Sequence, residues 1–283
     1  LHMDDYARSL EEVQRYVTAG GRSFVDAQPY LCGRMAEQLV RISRESNVHI
    51  VSMTGFHKIE FMEKSQWIHD NTADHIAQIF YDELAIGIKD SSGNLIPAKA
   101  GIIKGAVVKG GFLYHPSYAK LFEAVVQAAK HAGAPVMLHF DPDTEAMEVV
   151  RFFVDNGVAA DRLLLCHLDR VRYDVGYHKE LAQTGAFLEY DTIHRYQYHD
   201  DDKELALIES MINEGLGSHL LLSLDTTRSR MRSYGAVFGL DDILIRFGEK
   251  VKQRVGEGML DQMMVKNAAK ALHMSERYER EQG

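Results

Sequence analysis

The chain has 283 residues, a net charge of −9 and 46% hydrophobic residues, enough apolar material for one large core. The acidic balance argues against nucleic acid or an anionic membrane surface as the main partner. No stretch of 18 residues is continuously apolar, so nothing spans a membrane, and the acidic start does not read as a signal peptide. Gly, Pro and Ser never cluster into a linker, so residues 1–283 read as a single domain. Two cysteines, Cys32 and Cys166, lie in or beside apolar runs and read as reduced packing residues, which points to the cytoplasm.

In chain order, a first amphipathic helix is expected over residues 5–19. Strands follow over 23–28, 49–54, 100–104, 136–140, 163–167, 187–190 and 220–225. Most are apolar throughout, as parallel strands covered on both faces should be. Helical patterns lie between them at 34–45, 72–88, 116–131, 144–156, 177–184 and 203–214, and a last one spans 258–280. Thr72 or Asn71 can cap the second of these patterns, Pro116 suits a first turn, and Gly133, Gly157, Gly185 and Gly215 follow helix ends. Strand and helix alternate, which predicts an α/β fold with a parallel sheet, a (β/α)8 TIM-type barrel. The count is one strand short. The expected first strand is absent from the sequence as given, and we expect it in a segment that precedes Leu1.

In such barrels the active site lies at the C-terminal ends of the strands. Four runs close on polar groups there: Lys104, His139, His167 and Asp225. Imidazole and carboxylate are the ligands that Zn²⁺ and similar ions prefer. Lysine is the odd member, but its amine can take up CO₂ to become an anionic carbamate. One histidine after a strand is usually an ordinary hydrogen-bonded residue; four such groups on four strands predict a metal centre.

These pieces resemble the phosphotriesterase-like family of the amidohydrolase superfamily. The similarity is carried by Lys-Ala-Gly-Ile-Ile-Lys (99–104), Pro-Val-Met-Leu-His (135–139), His-Leu-Asp-Arg (167–170), Leu-Glu-Tyr-Asp-Thr-Ile (188–193), Leu-Ser-Leu-Asp (222–225) and Asn-Ala-Ala-Lys-Ala-Leu (267–272). The resemblance implies a carbamylated Lys104 bridging two divalent metals (Zn²⁺ first, with Mn, Co or Fe as substitutes). His139 and His167 would complete the outer ion. Asp225 would bind the inner ion and act as general base. It also implies a small-molecule substrate and a homodimer.

The sequence departs from the family in two ways. It contains no His-x-His pair, which the family places on its first strand, so one ion, or one with a weak second, is expected on this chain. Thr192 and Arg170 stand where organophosphate hydrolases of the family carry a His and an additional Asp. The pattern is more similar to the branch that hydrolyses lactones, some of them phosphorylated sugar lactones. Arg228 matches a phosphate-gripping position of that branch. Gln197 and Met231 stand where a Lys and a Tyr are expected, and Arg195, Arg230 or Tyr234 could compensate.

Asp169 and Arg170 either bond locally or orient His167 from behind. Cys166 is expected to face the helices. His57, His69, His115, His194 and His199 sit in predicted loops, where they could line the pocket although exposure is the default, and the segment around Trp67 reads as a lid or a dimer contact. The functional expectation is therefore a metal-dependent hydrolase opening a lactone. Organophosphate or carboxylic ester hydrolysis is the alternative activity, and a barrel that only binds metal or ligand is the alternative of another class.

Overall fold

A computed structural model describes residues 4–90 and 92–274. Seven parallel strands form one sheet in sequence order: β1 (Ser23–Val25), β2 (His49–Gly55), β3 (Ala100–Val107), β4 (Val136–Phe140), β5 (Leu163–Cys166), β6 (Phe187–Tyr190) and β7 (Leu220–Leu222). The sheet curls into an open barrel. Among the described residues β1 and β7 are its two unpaired edges.

The helices run α1 (Tyr6–Thr18), α2 (Ala36–Ser46), α3 (Gln66–Asp70), α4 (Ala73–Ala85), α5 (Pro116–Ala132), α6 (Ala146–Asp155), α7 (Leu168–Val171), α8 (Val175–Gln183), α9 (Asp201–Asn213), α10 (Gly248–Val255), α11 (Glu257–Asp261) and α12 (Asn267–Ala271). The ends follow local chemistry. Asp5 accepts the Arg8 amide at the start of α1, and Thr72 accepts the His75 amide at the start of α4. Gly133 closes α5 at φ 61°, a left-handed position.

Why the strands are apolar on both faces is clear from where their side chains go. Ile103, Leu138, Leu165 and Leu188 face the helices in the large outer core. Ile102, Met137, Leu164, Phe187 and Leu221 point inward with Met53. Ala268, Ala271 and Leu272 pack against that inner cluster. Asn267 fixes them there, donating from its buried amide to Gly217 O (2.9 Å) and Leu220 O (2.7 Å). The single C-terminal helix expected over 258–280 is interrupted. α11 passes through a wide turn, Gln262–Lys266, into α12, and residues beyond 274 lie outside the described residues. A helix the pattern did not predict, α10, precedes it.

Strand ends moved by a few residues. β3 runs on past Lys104 to Val107. β5 stops at Cys166, one residue before His167, and β7 stops three residues before Asp225. The last two differences matter for the site. No helix among the described residues is long and apolar enough to cross a membrane.

Candidate metal and active site

The C-terminal ends of β3 to β7 open into a cavity of about 380 Å³ that runs down the barrel between β1 and β7. Lys104, His139, His167 and Asp225 all stand at this end. Lys104 is 6% exposed and donates from Nζ to Ala27 O (3.0 Å). Its place depends on Gly55 of β2, which pairs with it in register. A Cβ on Gly55 would lie 2.1 Å from Lys104 O, and its φ is +89°. Only glycine lets the two strands come so close.

His167 and Asp225 reach the site through bent backbone. Cys166 is the last residue of β5 and already points inward. The next side chain should therefore point out. His167 instead adopts φ 70° and turns back into the barrel. Asp225 does the same at φ 43°. Such conformations cost of order 1–3 kcal/mol each and cluster at functional sites.

Four side chains form an unbroken chain. His139 Nε2 lies 3.0 Å from Asp141 Oδ1. His139 Nδ1 lies 2.7 Å from His167 Nε2, and His167 Nδ1 lies 2.7 Å from Asp191 Oδ1. Lys58 pairs with the outer carboxylate, Asp141, at 2.6 Å. If each ring donates outward to its carboxylate, two lone pairs face each other in the middle. Each inner nitrogen, backed by a carboxylate on the other side of its ring, then has the carboxylate–histidine pairing of a metal ligand. The donor set thus fits a divalent ion of the zinc type.

Burial supports the neutral form of both rings. It lowers His139 and His167 from 6.5 to about 3, with Arg170 adding to the effect at His167. The sign of the pH effect follows. Below about 6.5 the unfolded chain takes up protons that the folded rings refuse, so folding is disfavoured as pH falls towards about 3. We expect the chelated protein to lose thermal stability progressively over that window. A melting temperature flat from about pH 7 to about pH 5 would contradict neutral rings.

Asp225 has partners that the sequence did not reveal. His167, Asp191 and Asp225 can offer three ligand atoms within 4.8 Å of one another. Asp191 is 1% exposed and also accepts the His167 amide (3.2 Å). Burial and the neighbouring Asp225 raise its pKa to about 8. Burial works to raise Asp225 too, but His167, Arg195 and Arg170 outweigh it and hold Asp225 below the usual carboxylate value.

Three guanidinium groups surround this pair. Arg195 donates to Asp225 Oδ2 at 2.6 Å, and Arg170 lies 3.3 Å from the same oxygen. Arg230 donates to Ile193 O (2.7 Å) and Asp225 O (3.2 Å), and burial, with Arg195 adding to it, lowers its pKa to about 10. The other two residues expected here lie elsewhere. Tyr234 turns to α1, where its hydroxyl meets Ser9 Oγ (2.8 Å) and Asp5 O (3.0 Å). Arg228 is an exposed residue beside Asp4 (3.4 Å). Asp169 is fully buried and does not touch His167. Its Oδ2 accepts the amides of Asp191 (2.8 Å) and Thr192 (2.7 Å), so it acts on His167 through Asp191.

Several expectations are corrected. Cys166 faces the barrel interior, where its thiol donates to Glu189 (2.9 Å); it does not pack against the helices. His57 lines the cavity with its ring 4.9 Å from that of His139. His194 is buried with Nδ1 2.9 Å from Asp201, and the His199 side chain is 5% exposed. Asp26, at the end of β1, lines the cavity, and burial raises its carboxyl to about 6. Glu189 and Asp191 were legible in principle. Glu189 alternates with Phe187 on the inward side of β6, and Asp191 continues that alternation one residue past the strand.

The chain matches the phosphotriesterase family over residues 2–272. A phospho-furanose lactonase of Mycoplasmopsis synoviae is 26% identical, with 95% of this chain and 80% of the relative covered. A lactonase structure from Listeria monocytogenes superposes with a TM-score of 0.88 at 26% identity, covering 96% of this chain and 88% of that one. The phosphotriesterase homology protein of Escherichia coli, solved with phosphate in its active site, gives 0.85 at 26% identity over 96% and 91%. The open barrel, the polar strand ends and the match along almost the whole length agree: the chain belongs to the phosphotriesterase family and is a hydrolase of that family.

Proposed function

We propose that the protein is a metal-dependent hydrolase that opens a lactone carrying a phosphate group. The observation that carries this reading is the Asp141–His139–His167–Asp191 chain, whose two inner nitrogens face each other at 2.7 Å beside Asp225. His139 and His167 would hold one divalent ion, with Lys104 as a carbamate. Asp225, with Asp191, would hold a second and weaker one. Zn²⁺ suits the donors best. Bound there, a divalent ion polarises the ester carbonyl and makes its water more acidic.

The chain's own residues do the rest. Asp225, held as the anion, takes a proton from the attacking water. The water oxygen bonds to the ester carbon, the ring carbon–oxygen bond breaks, and Asp225 returns the proton to the departing oxygen. The product is a hydroxy acid. Arg170 holds the Asp225 carboxylate in place. Arg195, at the Asp225 carboxylate, and Arg230, at the Asp225 backbone carbonyl, would take a substrate phosphate with planar donor pairs that suit it. Arg228 and Tyr234 would act only at the outer rim. The relatives that act on phospho-furanose lactones support this substrate class.

A panel of γ-lactones with and without a phosphate, plus phosphotriesters, tests the reading on zinc-loaded full chain. The phosphorylated lactone should give the highest kcat/KM. Equal or better turnover of a phosphotriester would overturn the assignment.

A further inference from the structure

A second group of metal-type ligands lies outside the cavity, behind the end of β6. Asp169 of α7, His199 of the β6–α9 loop and Glu204 of α9 place ligand atoms within 4.8 Å of one another. Asp169 and Glu204 are 0% exposed, and the His199 side chain is 5% exposed. None of the three lines the cavity between β1 and β7.

The hydrogen-bond pattern makes the group unusual. His199 Nδ1 lies 3.0 Å from Asp200 O, a pure acceptor, so Nδ1 carries the proton. In a neutral ring that leaves a lone pair on Nε2. Nε2 lies 3.1 Å from Glu204 Oε2, again an acceptor, but without hydrogen-bonding alignment. His199 Nε2, Glu204 Oε1 and Glu204 Oε2 all lack a hydrogen-bond partner. Leaving a buried carboxylate unsatisfied costs several kcal/mol. A protonated His199 would pair with Glu204 Oε2 at 3.1 Å and still leave the buried Oε1 without a partner, whereas a cation between the ring and the carboxylates satisfies both oxygens.

We infer that Asp169, His199 and Glu204 form a second cation site that takes a divalent ion of the zinc type. One nitrogen and two carboxylate oxygens make a three-ligand set that a water completes to four. Two carboxylates balance the ion's charge. The proton on His199 Nδ1, given to a backbone carbonyl, fixes the ring as metal-bound histidines are usually fixed. Because Asp169 also accepts the amides of Asp191 and Thr192, an ion here would lock the end of β6, and with it the carboxylate that meets His167.

Zinc content per chain, measured by elemental analysis after reconstitution and gel filtration of the full chain, tests this. His139→Ala with His167→Ala, with its fold checked by circular dichroism, removes the two inner nitrogens of the cavity site. That double variant should keep one equivalent, and adding Glu204→Gln should remove it. In the wild-type background Glu204→Gln should lower the content by one equivalent. His199→Asn removes the nitrogen from a loop without touching α9, and should cause the same loss if Glu204→Gln does not fold. Zinc content unchanged by both Glu204→Gln and His199→Asn would overturn the proposal and leave a proton shared among the three groups. A double variant that binds no zinc would overturn it as well.

Discussion

Asp225→Asn is expected to lower kcat by about 10³- to 10⁴-fold, the upper part of the range for removing a general base. The amide keeps the size of the carboxylate and cannot take a proton. Two cations, Arg195 and Arg170, lose their anionic partner, but both keep other contacts: Arg195 donates to the Asp225 backbone carbonyl, and Arg170 lies 3.7 Å from Asp191. The fold should therefore survive, with a circular dichroism spectrum like that of the wild type. The loss should fall on kcat more than on KM, because Asp225 moves a proton and does not grip the substrate's distal end. A barrel that only binds ligand would show no turnover in either form. Wild-type turnover that persists in Asp225→Asn would remove Asp225 from the chemistry.

Gly55→Ala is expected to harm both stability and activity, although Gly55 touches no substrate. Its φ of +89° strains any L-residue, and the new Cβ would meet the Lys104 carbonyl and amide at 2.1 and 2.6 Å. Backbone cannot swing aside as a side chain can. Strain and overpacking together should cost roughly 2–4 kcal/mol. Any relief must push β3 away from β2, which displaces Lys104 from the metal centre. A misplacement of about 1 Å can cost about 10²-fold in rate. Gly258→Ala is the matched control, since nothing lies within 4 Å of a Cβ there. Thermal melts and metal content of the two variants should differ sharply. Equal melting temperatures would mean that the close approach of β2 to β3 carries no weight.

The seven strands were legible because parallel strands buried on both faces leave continuous apolar runs, and these bound the elements with little competition. The ends were less legible, and the physical reason is specific. A strand over 163–167 puts His167 inside and Cys166 outside by strict alternation. The left-handed turn at His167 lets both face the interior, and no local pattern announces such a turn for a histidine. The same holds for Asp225 beyond β7.

Lys104, His139, His167 and Asp225 could be picked out because each polar group closes an apolar run. Asp191 and Glu189 were passed over as parts of a motif, although their spacing puts them on the inward face with Phe187. His57, His194 and His199 fall in loops, where exposure is the default expectation and lining the pocket the alternative. Whether a loop folds back over the barrel mouth depends on tertiary packing, which periodicity does not encode. The Arg195 and Arg170 contacts with Asp225 join residues 30 and 55 positions apart in the chain, so no local signal could supply them.

The central claim is that hydrolysis depends on a cation held between His139 and His167. Metal removal and return tests it most directly. Protein stripped with a chelator and freed of it should have lost turnover of the phosphorylated lactone. Stoichiometric Zn²⁺ with bicarbonate should restore wild-type protein and should not restore His139→Ala with His167→Ala. Full turnover by the stripped wild-type protein, or full restoration of the double variant, would contradict the account.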